Sequence, residues 1–299
     1  MDTVTDDGSV GSLVRALQHW FDRLWPDAER GARARAAVEP WAADPAPRSA
    51  EAVAAVEEAG RRHSRHLALE LDPGPPRVPD TDPPGWTPQD PETVRRRAAY
   101  VRAVTRRDDG IAVLRLDGLD PVHLAAPHLE PALELVATAE GVVLDLSDNG
   151  GGDPATLALV LDWVRGPDRA HVSDVHHRDR VVQWWTPGRP AARALPGTTP
   201  LAVVASARTF SSGEALAFHL QQLCGVPVVG EATRGAADHV TPVRVTRDVT
   251  AYLPEAYTVD RASGTNWEGV GVQPDATPPS GTSAVDHAVA TVLDAPGRR

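Results

Sequence analysis

The clearest feature of the chain is a pair of apolar runs, each followed by a polar turn and then a helix pattern. Residues 141–152 read GVVLDLSDNGGG, and residues 200–235 read PLAVVASARTFSSGEALAFHLQQLCGVPVVGEATRG. Uninterrupted apolar runs of this length are typical of strands that are buried on both faces of a parallel sheet. The pattern therefore predicts two buried strands that end in polar turns.

Beyond residue 95, strand and helix patterns alternate. The predicted elements are the strand Ile111–Leu116, the helix Ala125–Thr138, the strand Val142–Leu146, the helix Pro154–Val164, the strand Leu201–Ala205, the helix Glu214–Leu223 and the strands Val226–Val229 and Thr241–Val245. This order predicts an α/β domain with a largely parallel central sheet. Such sheets bind ligands outside the carboxyl ends of their strands, where both polar turns lie.

The first part of the chain has a different pattern. Apolar residues recur at three- and four-residue spacing between about Ser9 and Leu71, which predicts helices. Residues 72–91, DPGPPRVPDTDPPGWTPQDP, are too rich in proline for a helix or a central strand. We therefore predict a helical domain at residues 1–71, a proline-rich linker at 72–94 and an α/β core domain at 95–299.

Composition narrows the function classes. The net charge of −11 over 299 residues argues against binding to nucleic acid and to anionic membranes. No stretch approaches the roughly 18 apolar residues of a membrane span. The acidic N-terminal sequence MDTVTDDGSV is unlike a secretory signal, so we expect a cytoplasmic protein. The histidines lack the spacing of a zinc site, and no metal or cofactor is expected.

Three consecutive glycines, Gly150, Gly151 and Gly152, follow the first buried strand. Their N–H groups are candidates to stabilise an oxyanion. The alternative is a simple connection that uses glycine for backbone freedom before a helix capped by Asp153. Both interpretations stay open from these residues alone.

The second turn offers a serine at a helix N-terminus. Ser211 and Glu214 have the spacing of a capping box, which is a sufficient structural reason for both residues. A hydroxyl in this place can also act as a nucleophile, because the helix dipole and free N–H groups stabilise negative charge. All 30 basic residues are arginines, so a catalytic base for Ser211 cannot be a lysine.

Together these segments resemble peptidase family S41, the tail-specific or C-terminal processing proteases, whose relatives include the tricorn protease core and the interphotoreceptor retinoid-binding protein modules. The matching segments are VLDLSDNGGG at 143–152, TFSSGE at 209–214, VVGEATRG at 228–235 and GVGVQPD at 269–275, with a weaker match of RHLALEL at 65–71. The resemblance implies a ClpP/crotonase-type α/β core behind a small helical domain.

The resemblance implies roles for residues at the two turns. Ser211 is the implied nucleophile, and the N–H of Ser212 and of a turn glycine such as Gly151 are the implied oxyanion donors. Glu214 and Thr233 fall in the same implied oxyanion and substrate-binding region.

The base that the resemblance implies here differs from the lysine base of the processing proteases. Their lysine position is occupied by Ala236, so the resemblance favours the tricorn-like branch, in which a histidine and a late glutamate complete the catalytic set. His66 and Glu268 match those places, as base and as the acid that orients it. His239, shortly after the lysine position, is the rival base, and Glu268 has the alternative of a solvated loop acid.

We therefore expect a serine-type peptidase that acts on a peptide or protein substrate. The alternative is a non-catalytic module of the same fold that binds an extended peptide or an apolar ligand. An acyl-CoA enzyme of the crotonase type has little support. A homo-oligomer is an option that the sequence leaves open.

Overall fold

The computed structural model describes residues 6–295. The helices in this range are α1 (Val10–Leu24), α2 (Ala28–Val38), α3 (Ala50–Arg61), α4 (Pro91–Arg96), α5 (Val122–Val136), α6 (Pro154–Arg165), α7 (Ser212–Cys224) and α8 (Ala284–Leu293). The strands are β1 (Ala68–Leu71), β2 (Val101–Arg106), β3 (Ile111–Leu116), β4 (Gly141–Asp145), β5 (His171–His177), β6 (Val181–Trp185), β7 (Leu201–Ala205), β8 (Val228–Gly230), β9 (Asp238–Arg244) and β10 (Val249–Asp260). None of these helices has both the length and the apolar character that a membrane crossing needs.

The chain divides into two compact units. The first takes residues up to Thr87 together with Asp174–Val182 and Asp238–Val259. The second takes Pro88–Ser173, Gln183–Ala237 and the residues from Asp260 onwards. This division differs from the predicted boundaries at residues 71 and 94, because the first unit also contains strands from late in the sequence.

The second unit is built on a five-stranded sheet in the order β2-β3-β4-β7-β8. The pairs β3–β4, β4–β7 and β7–β8 are parallel, and only the edge strand β2 is antiparallel. Every residue of β4 and β7 is buried, as their apolar runs predict. The predicted α/β class with a largely parallel sheet is confirmed.

Helices cover both faces of this sheet. Leu144 of β4 belongs to a large apolar cluster that contains residues of α5, α6 and α7. Its neighbour Val143 belongs to a separate cluster with Val289 and Val292 of α8. Successive side chains of a strand point to opposite faces, which explains why β4 is apolar at every position.

The first unit combines helices with an antiparallel sheet. The N-cap side chains of Ser9, Asp27 and Ser49 accept hydrogen bonds from the first turns of α1, α2 and α3. Strand β1 pairs with β10, with Leu69 opposite Ala251, and β10 pairs with β9. Because β1 and β10 lie about 180 residues apart in sequence, the local pattern did not reveal their pairing.

The proline-rich segment contains no helix or strand between residues 72 and 90, as predicted. Its backbone still has fixed partners in the first unit. Arg77 N donates to Arg247 O at 2.9 Å, and Asp80 N donates to Arg244 O at 2.9 Å. The indole Nε1 of Trp86 donates to Val240 O at 3.2 Å. The segment therefore lies as an ordered strap along the β9–β10 hairpin.

Replacing Leu144 by alanine tests the central role of β4. Leu144 is fully buried in the large cluster, so Leu144→Ala is expected to lower the free energy of unfolding by about 3 kcal/mol through lost transfer energy and a cavity. Leu135→Ala on the exposed face of α5 is the matched control and is expected to change it by less than about 0.5 kcal/mol. Urea unfolding followed by circular dichroism measures both, and equal losses would contradict the assignment of the core.

Candidate active site

The two predicted polar turns lie at the carboxyl ends of adjacent strands of the second unit. The glycine turn follows β4, and Ser211 follows β7 and immediately precedes α7. Because β4 and β7 are parallel neighbours, both turns leave the same edge of the sheet. The carbonyl of Asn149 in the first turn accepts a hydrogen bond from Phe210 N in the second at 2.9 Å, which joins the two turns directly.

Ser211 has a backbone conformation that an ordinary helix cap does not need. Its φ is 55° and its ψ is −126°, a region that costs a residue with a side chain about 1–3 kcal/mol. The N-cap residues of α1, α3 and α8, which are also serines, have extended backbones with φ between −125° and −70°. Helix capping alone therefore does not explain the strained backbone of Ser211.

The carboxylate of Glu214 ties the serine turn to a second loop. Its Oε2 accepts from Ser211 N at 2.8 Å and Ala236 N at 2.9 Å, and its Oε1 accepts from Thr233 Oγ1 at 2.5 Å and Gly235 N at 2.6 Å. Glu214 has no exposed surface. Burial raises the pKa of Glu214, while the four hydrogen bonds act to lower it. The predicted pairing of Glu214 with the Ser211 backbone is thus one part of a larger network.

Thr233 extends this network to the next segment. Its hydroxyl donates to Glu214 and accepts from Val272 N at 2.8 Å, and Thr233 N donates to Val272 O at 3.2 Å. Val272 belongs to the GVGVQPD segment that the sequence singled out. The structure therefore brings three of the four main matching segments together around one buried carboxylate.

The glycine turn packs closely on the serine. A Cβ built on Gly151 would lie 2.7 Å from the Cβ of Ser211 and 3.0 Å from Ser212 N. Gly151 also has a φ of +90°, which residues with side chains rarely adopt. At this position glycine is required both by the backbone and by the space beside Ser211.

The backbone donors of the two turns are not equally available. Gly150 N donates to Asp117 O at 3.1 Å, and Gly151 N donates to Asn149 Oδ1 at 2.9 Å. In the described part of the chain, Gly152 N and Ser212 N have no acceptor. The Ser212 hydroxyl donates to Gly152 O at 2.8 Å, so these two residues are in contact. Gly152, rather than Gly151, is therefore the glycine whose N–H is available to a ligand.

Glu268 lies beside the position that a lysine base would occupy. Its Oε2 accepts from Ala237 N at 2.6 Å. The preceding residue, Trp267, is buried and donates from Nε1 to Ala236 O at 3.1 Å. Ala236 itself is fully buried. Glu268 is thus held against the same loop that binds Glu214, and it is not a purely solvated acid.

The two candidate histidine bases belong to the first unit. His66 lies just before β1, and His239 lies on β9. Desolvation, with a smaller contribution from His177, lowers the pKa of His239 to about 4. His239 is therefore neutral at neutral pH.

A buried histidine–aspartate pair in the second unit was not predicted. His219 Nδ1 and Asp260 Oδ1 lie 3.1 Å apart, and both side chains are fully buried. Burial acts to raise the pKa of Asp260, but hydrogen bonds with His219 and Ser263 outweigh it and lower the pKa. The two residues lie 41 positions apart, and a lone histidine in the otherwise apolar middle of α7 was the only local signal.

No group of three or more histidine, cysteine, aspartate or glutamate side chains within residues 6–295 is arranged to hold a metal ion. The chemistry that this edge of the sheet offers is that of a serine hydroxyl, backbone N–H donors and buried carboxylates.

Alanine substitutions at Gly151 and at its neighbour Gly150 test whether the space beside Ser211 requires glycine. Gly151→Ala is expected to lower the free energy of unfolding by about 2 kcal/mol, because a side chain there is strained at positive φ and meets Ser211. Gly150 has open space around its Cα and an ordinary φ, so Gly150→Ala is expected to cost less than about 0.5 kcal/mol. Chemical denaturation of the two variants measures their free energies of unfolding. A Gly150→Ala variant that is as unstable as Gly151→Ala would refute this account.

Comparison with solved structures supports the fold. A lipoprotein from Streptococcus agalactiae is 16% identical with a TM-score of 0.61, over 98% of this chain and 99% of that one. A putative peptidase from Parabacteroides merdae is 14% identical with a TM-score of 0.55, over 82% and 84%. The photosystem II D1 C-terminal processing protease is 22% identical with a TM-score of 0.48, over 63% of this chain and 47% of its own, so the chain spans about half of its length. The first two likenesses show the fold, and at these identities they show nothing of activity.

The comparison with protein families is more specific. The family model described as Peptidase family S41 matches residues 110–277, which is more than half of the chain. The matched range contains the glycine turn, Ser211, Glu214, Thr233 and Glu268, and it ends before α8. The resemblance that the motifs indicated is confirmed: the chain belongs to peptidase family S41.

Proposed function

We propose that this chain is a serine-type peptidase in which Ser211 attacks the carbonyl carbon of a peptide bond. The observation that carries the proposal is the backbone of Ser211, with φ at 55° and ψ at −126° directly before α7. A strained turn between a strand and a helix is how other hydrolase folds expose a nucleophilic serine. A serine that only capped the helix would gain nothing from this strain.

The oxyanion would form beside two N–H groups. Ser212 N follows the nucleophile at the start of α7, and the hydrogen bond from the Ser212 hydroxyl to Gly152 O at 2.8 Å holds Gly152 in contact with Ser212. Both donors lack a partner in the described chain, so neither has to break a bond to bind a developing negative charge. The N-terminal end of the α7 dipole favours the same charge.

The reaction that we propose has two steps. The Ser211 hydroxyl oxygen bonds to the carbonyl carbon, a histidine takes its proton and passes it to the leaving amine, and the C–N bond breaks. Water then attacks the acyl ester, with the same histidine as base, and releases a carboxylic acid and the serine hydroxyl. No cofactor is needed for either step.

We assign the base to His66 and its orientation to Glu268, and this assignment rests on the family resemblance. The absence of lysine from the sequence and the buried methyl group of Ala236 exclude the serine–lysine arrangement. The contact of Glu268 with Ala237 N holds its carboxylate at the loop that carries Ala236, which is consistent with a role at this site.

The second candidate is a non-catalytic module that binds an extended peptide. The fully buried alanine at the lysine position is the observation that favours it. The strained serine weighs against it, because a binding groove needs no nucleophile.

The two candidates differ in their dependence on Ser211. Ser211→Ala is expected to abolish both labelling by a fluorophosphonate probe and hydrolysis of a peptide library, because it removes the only atom that becomes acylated. Ser212→Ala keeps the backbone N–H and is the matched control, expected to retain most activity. Labelling and hydrolysis that are unchanged in Ser211→Ala would refute the enzyme, and a wild-type protein without either would favour the binding module.

The pH dependence of kcat/KM identifies the base. A base must be neutral to accept a proton, so the rate rises as pH rises through its pKa. His239, with a pKa of about 4, would give a rate that is flat from about pH 5 upwards. A rate that rises with pH above about pH 5 would therefore exclude His239. With His66 as base we expect most of the rate to be lost in His66→Ala and kept in His239→Ala. A large loss of kcat/KM in His239→Ala alone would identify His239 on β9 as the base instead.

A further inference from the structure

An arginine lies next to the nucleophile turn without a carboxylate to balance it. Arg234 stands between Thr233 and Gly235, both of which donate to Glu214 Oε1. Its own backbone N donates to Thr209 O at 3.3 Å, two residues before Ser211. The backbone of Arg234 is therefore fixed against the serine turn from both sides.

The side chain of Arg234 is held over the residue that precedes the nucleophile. Its Cζ lies 4.9 Å from the centre of the Phe210 ring. The negative face of an aromatic ring attracts a cation, which favours this rotamer of Arg234 over others. A guanidinium in such a contact keeps its N–H donors available for a carboxylate.

The charge of Arg234 is not compensated by the protein. Within residues 6–295 Arg234 forms no ion pair, and its side chain is exposed. The nearby cations are different, since Arg208 and Arg115 both pair with Asp148. Arg234 is thus a positive charge beside the candidate nucleophile in a chain of net charge −11.

We propose that Arg234 is a specificity residue that selects peptides with a carboxylate close to the scissile bond, and this rests on the proposed peptidase function. The carboxylate belongs either to an aspartate or glutamate side chain or to the C-terminus of the substrate. The planar guanidinium binds either group with two N–H donors, and charge-assisted bonds of this kind are stronger than neutral ones. The net charge of −11 disfavours the approach of an acidic peptide, and Arg234 supplies a local attraction for its carboxylate.

The test compares peptides that differ only in the carboxylate. One series carries glutamate or glutamine beside the cleavage site, and a second carries a free or an amidated C-terminus close to it. We expect kcat/KM to be roughly 10-fold higher for at least one carboxylate form, mostly through KM, and to fall as salt is added. The series that responds identifies the source of the carboxylate.

The variants assign the preference to Arg234. Arg234→Gln is expected to lose the preference, Arg234→Lys to keep part of it and Arg234→Glu to reverse it towards neutral or basic peptides. Arg208→Gln is the control, because it removes an exposed arginine that is ion-paired with Asp148, and the preference is expected to remain. No preference in the wild type, or a preference that Arg234→Gln retains, would overturn the proposal.

A binding measurement separates this proposal from the proposed reaction. Fluorescence anisotropy with the same peptides on Ser211→Ala reports carboxylate recognition without hydrolysis. Tighter binding of carboxylate peptides to Ser211→Ala, together with a wild-type protein that hydrolyses none of them, would support Arg234 and refute the peptidase. Equal binding of both peptide forms would refute the role of Arg234 even if hydrolysis occurs.

Discussion

A single buried carboxylate organises the candidate site. Glu214 accepts from Ser211 on one side and from Thr233, Gly235 and Ala236 on the other. A carboxylate without exposed surface is tolerated only when its oxygens have donors, and donors left without it would be buried and unsatisfied. The serine turn and the loop after β8 therefore depend on each other, and the positions of Arg234 and Glu268 follow from that dependence.

This arrangement separates the rigid part of the site from its variable part. The glycine turn, the serine and the buried glutamate are fixed by backbone hydrogen bonds and by close packing at Gly151. The proposed base comes from a different compact unit. The geometry of the nucleophile turn is therefore set within the second unit and does not depend on which residue accepts the proton.

The parts of the structure that were predictable are those with local causes. Strand β4 is apolar at every position because both of its faces are covered, and Asp153 and Pro154 mark the start of α6 in the sequence itself. The antiparallel sheet was missed because β1 and β10 pair across about 180 residues, and β10 contains Pro254, which obscures its strand pattern. The capping box predicted one bond of Glu214, but its partners at Thr233 and Gly235 lie 19 and 21 residues away. The engagement of Gly151 N by Asn149 depends on a side-chain direction that spacing does not reveal.

The positive φ of Ser211 lowers the stability of the fold, whereas the proposed reaction requires a side chain at this residue. A glycine would adopt this conformation without strain and would recover on the order of 1 kcal/mol in the folded protein. Selection for stability alone would therefore favour glycine at this position. The proposed role of Ser211 as nucleophile requires a hydroxyl that glycine cannot supply, and this requirement accounts for a side chain at a position with positive φ.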